Sequence, residues 1–489
     1  MAANIKLACI LCGLPARGKT FISYKISRYL QWLGIHTKVF DEVEYYEKMH
    51  GSNNTSYEFL NIQNNNKHKI ETSATLAHQT IDQVLNDLIQ WIDHQHDLTN
   101  GNSQGGGGVL GDRVAIYDGA NLTSYKRKYL YDTLITNNIQ VLFIESLCDD
   151  ESLIRQNIRD VKLFNTIITN NDNNNNNHQH SIKKYEEKEQ EQAIDHYIQR
   201  IETKYQPIYE SLDDNNEEAN HYTYIKLINA GNQYVINLVH GYLESRIVYY
   251  LMNLNIKKKQ IWLSRHGESV FNVEDKIGGN ADLSPRGQLY AKKLPDLIEK
   301  HVGNELPLTV WTSTLKRTIQ TASNLKFPKK QWKALDELDT GVCDGMTYDE
   351  IAEKYPDDFL KRDEDKFNYR YRGGESYRDL VLRLEPVIME LEQHERILII
   401  AHQATIRCLY AYFMNLNYDQ LPYARVPLHT LIELTPTAYH CDEKLYKVDI
   451  EAVDTYRPKS AGVENVLLKS PTAKNFGAMG EIANTNSML

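Results

Sequence analysis

Gly13-Leu14-Pro15-Ala16-Arg17-Gly18-Lys19-Thr20 (GLPARGKT) follows the apolar run Ile5 to Cys12 and opens an amphipathic stretch from Thr20 to Leu33. An uncharged run ending at glycine, followed by apolar residues at helical spacing, predicts strand, loop and helix in that order. Glycines in such a loop let the backbone approach phosphate oxygens, the turn aims amide N–H groups at them, and the helix adds its positive end. Lys19 then reaches the outer phosphates, Thr20 coordinates Mg²⁺, and Gly13, Arg17 and Gly18 complete the nucleotide cradle. The plain alternative is a glycine turn without a ligand.

Working outward, the β-rich runs Arg113 to Tyr117, Val141 to Glu145 and Tyr224 to Ile228 alternate with helical patterns at Ser73 to Ile92 and Gln190 to Tyr205. Such alternation predicts an α/β domain, a mainly parallel sheet flanked by helices as in P-loop nucleotide kinases, over residues 1–252. Asp118 follows the strand RVAIY at the carboxyl edge of the sheet, where it can help hold the metal or the acceptor hydroxyl; the alternative is a cap. Lys162, in NIRDVKL, is a candidate phosphate contact or a solvated helix lysine.

A second α/β set, over residues 260–453, has expected strands at Ile261 to Ser264, Leu308 to Thr312, Ile397 to Ala401 and Thr430 to Leu434. Low-complexity segments at 101–108 and 165–180 cannot bury enough apolar surface to order themselves and are expected to be surface insertions. Residues 454–489 are expected to form a flexible tail.

The chain has 489 residues, 41% of them hydrophobic, enough for a core in each domain. Its formal net charge of -10 argues against non-specific nucleic-acid binding, so anionic substrates must be held by locally clustered Arg and Lys. The six cysteines lie mostly in apolar runs, and although Cys9 and Cys12 read C-x-x-C they fall in the strand leading into the phosphate loop, so free thiols in a reducing compartment are expected. No long uncharged apolar stretch or signal-peptide pattern is seen, so the expectation is a cytoplasmic protein without a membrane partner.

In the second domain SRHGES (Ser264 to Ser269) follows a buried-looking run, so His266 emerges at a strand end beside Arg265. His402 emerges in the same way from ILIIAHQ, and Arg317 lies in STLKRTIQT. Two histidines at strand ends among guanidinium groups describe an anion pocket with a nucleophile inside it. A neutral imidazole attacks phosphorus while the cations neutralise the equatorial oxygens, with no cofactor needed, and Glu337 in LDELDTGVCD is the best-placed acid for the leaving alcohol.

GLPARGKT and SRHGES together with ESLCDD, NIRDVKL, SRIVYYLMN, LSPRG and KRTIQTA closely resemble the bifunctional 6-phosphofructo-2-kinase/fructose-2,6-bisphosphatase family, from about residue 5 to 442. The resemblance implies a phosphoglycerate-mutase-like histidine-phosphatase fold for the second domain. It also implies His266 as nucleophile, Glu337 as proton donor, and Arg265, Asn272, Arg317 and His402 as the shell around the sugar 2-phosphate. Tyr348, Arg362, Lys366, Tyr377, Gln403 and Arg407 match the family's holders of the 6-phosphate. ATP with Mg²⁺, fructose 2,6-bisphosphate, fructose 6-phosphate and a homodimer are implied as well.

The kinase half departs from the family where it should hold fructose 6-phosphate. FNVGxYRR becomes Phe40, Asp41, Glu42, Val43, Glu44, Tyr45, Tyr46, Glu47, so both arginines are gone, and Glu71 replaces a third. DATNTT becomes Asp118, Gly119, Ala120, Asn121, Leu122, Thr123, while Arg200 survives and Tyr205 follows one residue late. Each lost charged hydrogen bond costs roughly 1.5–3 kcal/mol, so ATP binding is expected to persist and 2-kinase turnover to be weak. Two alternatives stay open: a fully bifunctional enzyme in which Lys48, Lys67 or Lys69 fills the gap, and a nucleotide-sensing domain that regulates the phosphatase. A broad-specificity phosphatase relative is disfavoured by the six 6-phosphate matches.

Overall fold

A computed structural model describes residues 4–50, 67–93, 111–159, 182–212, 221–255, 259–302, 307–437 and 440–458. The strands of the first sheet are β1 (Lys6–Cys12), β2 (His36–Asp41), β3 (Arg113–Asp118), β4 (Gln140–Leu147), β5 (Tyr224–Ile228) and β6 (Gln233–Asn237). They lie in the order β2-β3-β1-β4-β5-β6, all parallel except β6, which runs antiparallel to β5. Helices cover both faces, so the central strands read as unbroken apolar runs, and β1 is fully buried from Leu7 to Cys12. The loop after β1 leaves the sheet between β3 and β4, the position where an open α/β sheet forms its ligand crevice.

The second sheet contains β7 (Gln260–Arg265), β8 (Thr309–Thr312), β9 (Lys329–Gln331), β10 (Arg396–Ala401), β11 (Thr430–Pro436) and β12 (Cys441–Lys447), ordered β12-β11-β7-β10-β8-β9. β7, β8, β9 and β10 are parallel, whereas β11 runs antiparallel to both β7 and β12. The strands without an expected range, β2, β6, β9 and β12, lie at sheet edges. β9 is three exposed polar residues, KKQ, and carries no apolar signal.

Helix Lys19–Trp32, expected to be amphipathic, is buried on nearly every side. It is clamped between the first sheet and the helices Tyr377–Gln393 and Gln403–Met414 of the second domain. Lys25 reaches Glu392 at 3.0 Å, Tyr29 donates to Glu385 at 2.5 Å, and Trp32 Nε1 donates to the Cys408 carbonyl at 2.9 Å. Tyr29 stacks on Tyr250 with ring centroids 4.3 Å apart, and one apolar cluster runs from β1 through this helix into the second domain. No helix among the described residues is long and apolar enough to cross a membrane. Lys162, the segments 101–108 and 165–180, and the tail beyond 458 lie outside the described residues.

Candidate active site

Strand register brings the two histidines together. β7 and β10 pair so that Arg265 lies opposite Ala401, which makes His266 and His402 the next residues on adjacent strands. His266 N donates to the Ala401 carbonyl at 3.0 Å, and the imidazole centroids are 5.2 Å apart. His266 Nδ1 lies 2.7 Å from the Gly267 carbonyl. A carbonyl only accepts, so Nδ1 carries the proton and Nε2 is left with the lone pair. Burial, together with the charges of Arg317 and Arg265, holds the His266 pKa well below the usual histidine range, so the ring is neutral at pH 7.

His402 is completely buried, and its Nε2 lies 2.7 Å from the Ser313 hydroxyl. Its Nδ1 and the Nε of Arg265 are buried without hydrogen-bond partners among the described residues. Such orphans are rare in folded proteins, and two at one site, one of them on a guanidinium, suit a group rich in acceptor oxygens. Arg317 donates to the Gly279 carbonyl at 2.7 Å. Asn272 Oδ1 accepts from the backbone and hydroxyl of Ser269, both at 3.0 Å, which leaves Nδ2 as the amide's donor toward the cavity it lines.

Glu337 accepts from the Ala404 backbone N–H at 3.2 Å, at the start of helix Gln403–Met414. The loop that carries it is held by Arg383, which donates to the carbonyls of Ala334, Asp336 and Glu337. Arg265, His266, Asn272, Arg317 and Glu337 line a cavity of about 300 Å³.

Tyr348, Arg362, Lys366, Tyr377, Gln403 and Arg407 line the same cavity. Gln403 and Arg407, four residues apart, share a face of one helix. Arg407 donates to Tyr377 OH at 3.1 Å, and Arg362 to Tyr348 OH at 3.1 Å and Tyr371 OH at 2.9 Å. Burial and the neighbouring Arg362 and Arg407 charges push Lys366 down to about 6. Cations crowded this closely are an anion site.

In the first domain Gly13 has φ +126°, and a Cβ there would sit 2.5 Å from the Ser146 carbonyl oxygen. Gly18, at φ +81°, caps the helix without a side chain in the way. Lys19 Nζ donates to the loop carbonyls of Gly13 and Leu14 at 2.8 and 2.7 Å. Burial pushes this lysine down to about 8 against the pull of Asp118. Ser23 donates to Asp118 at 3.0 Å, and the Thr20 hydroxyl also bonds that carboxylate, so Thr20 and Asp118 lie in contact. One hydroxyl and one carboxylate, with phosphate oxygens completing the shell, suit Mg²⁺. Arg17 and Gly18 border a small crevice with Ser146, Cys148 and Asn157.

A 6-phosphofructo-2-kinase family model matches residues 1–258, and a histidine phosphatase superfamily (branch 1) model matches residues 261–449. Fructose-2,6-bisphosphatase of Saccharomyces cerevisiae is 46% identical over 469 residues, which cover 96% of this chain and 94% of that one. Human 6-phosphofructo-2-kinase/fructose-2,6-bisphosphatase 1 is 41% identical over 94% of this chain and 88% of its own. The chain belongs to the 6-phosphofructo-2-kinase/fructose-2,6-bisphosphatase family. Among solved structures, an alpha-ribazole phosphatase from Shigella flexneri covers 40% of this chain and 99% of its own, with 20% identity and a TM-score of 0.35.

Where the family resemblance leads one to expect the sugar side of the kinase site, the chain carries carboxylates. Asp41 ends β2 opposite Asp118, and burial with the Asp118 charge pushes its carboxyl up to about 7. Glu42 is buried and binds Lys126 at 2.6 Å, and its Oε2 lies 2.2 Å from where a Cβ on Gly119 would be. With glycine at 119, where the family has alanine, the Glu42 carboxylate occupies the space a Cβ would take. Lys48 pairs with Glu44 on the exposed surface, and the side chains of Lys67, Lys69 and Glu71 lie outside the described residues. Arg200 ends helix Ile182–Arg200, and Tyr205 is buried with Leu122 and Ile201, against Leu14 and Ala16 of the phosphate loop.

Sequence reading missed several supports. Glu268, fully buried, accepts from Ser284 at 2.7 Å and from the Val453 N–H at 2.9 Å. Residues 454–457, expected in the tail, line the phosphatase cavity instead. Arg265 donates to the Thr455 hydroxyl at 2.8 Å.

Proposed function

We propose that the protein hydrolyses fructose 2,6-bisphosphate to fructose 6-phosphate and phosphate. The observation that carries this reading is the neutral His266, protonated at Nδ1, in a cavity also lined by the basic residues Arg362, Lys366 and Arg407. His266 Nε2 forms a bond to the 2-phosphorus as the bond to the sugar C2 oxygen breaks, and Glu337 delivers its proton to that oxygen. Water then attacks the phosphohistidine, gives its proton to Glu337, and phosphate leaves. Arg265, Arg317, Asn272 and His402 stabilise the transferred group, and the site runs without a metal. Tyr348, Arg362, Lys366, Tyr377, Gln403 and Arg407 hold the 6-phosphate. Phosphate release from fructose 2,6-bisphosphate by the intact protein, abolished in His266→Ala, tests this, and no release by the intact protein refutes it.

The amino-terminal half binds ATP and Mg²⁺ through Gly13, Arg17, Gly18, Lys19, Thr20 and Asp118, with Lys162 a further phosphate contact, but turns over fructose 6-phosphate weakly. Arg200 and Tyr205 are what remains of its sugar site. Asp41 and Glu42 oppose a dianionic sugar phosphate, and the basic Lys126 is already paired with Glu42. The yeast relative that spans both halves is named for the phosphatase alone, which supports the same reading. With the phosphatase silenced by His266→Ala, ATP and fructose 6-phosphate should give little product; rapid synthesis would show a working kinase. A nucleotide-sensing role is favoured by one observation, that the helix starting at Lys19 is clamped by helices starting at Tyr377 and Gln403.

The kinase unit is placed at residues 1–252 and the phosphatase unit from 260 through the cavity-lining segment at 454–457. A homodimer formed through the kinase half is supported by the open edge of β6, where Ile236, Leu238 and, on the next helix, Tyr249 are exposed. Cytoplasmic location accords with the free thiols of the described cysteines.

A further inference from the structure

The chain does not leave the phosphatase domain at β12. It continues along the wall of the cavity, tied at Val453 to Glu268, whose neighbours His266 and Gly267 belong to the catalytic loop. The Thr455 hydroxyl meets Arg265. Two residues on, and so at most about 7 Å further along, Arg457 lines the same cavity beside Tyr348. Its guanidinium carbon is 3.9 Å from the ring centroid of Tyr348 and 5.8 Å from that of Phe359. It is close enough to Lys366 for its charge to add to the cations bearing on that amine. Arg457 forms no ion pair among the described residues, whereas Arg362 in the same wall is paired with Asp363 at 2.9 Å. A half-buried guanidinium held over a tyrosine ring in a wall of basic residues, with no carboxylate paired to it among the described residues, keeps its charge unmatched until an anion enters.

We propose that Arg457 is a further substrate-binding residue, which closes the cage around the terminal phosphate monoester of the sugar. This rests on the bisphosphatase reading. Substrate recognition would then come partly from a segment beyond the last strand of the sheet, and Thr455 and Arg457 would fix the separation between the two phosphate sites.

The test compares wild type, Arg457→Ala and Arg457→Lys with fructose 2,6-bisphosphate as substrate, and with fructose 6-phosphate and inorganic phosphate as inhibitors. Loss of one charged hydrogen-bonding group predicts a KM raised about ten- to a hundred-fold in Arg457→Ala. The inhibition constant of fructose 6-phosphate should rise by a similar factor. kcat and the inhibition constant of inorganic phosphate, which needs only the His266 site, should stay within about two-fold, and Arg457→Lys should recover part of the loss. Wild-type KM in Arg457→Ala, or a fall in kcat alone, overturns the inference and leaves the bisphosphatase reading standing. An inactive wild type removes both.

Discussion

Replacing Glu392 by leucine should loosen the junction between the two halves. Glu392 is fully buried and faces two lysines, Lys25 from the phosphate-loop helix at 3.0 Å and Lys259 at 2.8 Å, whose side chains are only 2% and 3% exposed. Tyr412 donates to the same carboxylate at 2.5 Å. Removing the anion strands two ammonium groups out of water, and breaking a buried pair in this way costs about 3–5 kcal/mol. With a urea dependence of about 3 kcal/mol per molar, the unfolding midpoint should fall by about 1–1.7 M. Fluorescence of Trp32, which lies in this junction, reports the transition.

Replacing all three residues together (Lys25→Met, Lys259→Met, Glu392→Leu) should regain most of the loss, because apolar groups of similar volume commonly match a buried ionic cluster. Burial pushes the Glu392 carboxyl up, but the two lysines more than offset this and hold it well below the usual range. A depressed folded pKa gives stability that is present above an unfolded value of about 4.3 and lost as the pH falls, so the single variant and wild type should converge in acid. A midpoint shift below about 0.3 M, or a triple variant no better than the single one, would refute the reasoning.

Lys366, pushed down to about 6 by burial and the adjacent guanidinium groups, is mostly neutral at pH 7.5, and a bound phosphate dianion should recharge it. Binding of fructose 6-phosphate to the phosphatase should therefore take up close to one proton at that pH and weaken as pH rises. Calorimetry in buffers of different ionisation enthalpy measures this, and Lys366→Arg should abolish the uptake; equal uptake in both proteins would exclude Lys366 as its source. Ser313→Ala removes the hydroxyl 2.7 Å from His402 Nε2 and leaves a second imidazole nitrogen unpaired. A buried group without its partner costs about 1–3 kcal/mol, so kcat should fall about 5- to 150-fold with KM little changed, and a KM effect alone would contradict the assigned role.

Features that depend on short-range pattern were legible in the sequence. β1 and the loop after it announce themselves through an apolar run, paired glycines and a helical period, and the histidines of β7 and β10 through strand-end position. Register, which places Arg265 opposite Ala401, turned those separate signals into one site. The edge strand β9 was invisible because pairing with β8 asks nothing apolar of KKQ.

Residues 454–457 were read as tail because they are polar, yet polarity is what a phosphate cavity selects. The loss of the kinase arginines was visible, but not the fate of their space. Lys48 looked like a replacement and instead pairs outward with Glu44, while Lys126, which nothing in its local sequence singles out, is drawn in by Glu42.

The central claim is that His266 carries the phosphoryl group. Fructose 2,6-bisphosphate labelled at the 2-phosphate, mixed with enzyme and quenched within milliseconds, should leave acid-labile, base-stable label on His266, with none on His266→Ala. Hydrolysis at full rate with no label ever on that imidazole would contradict the account.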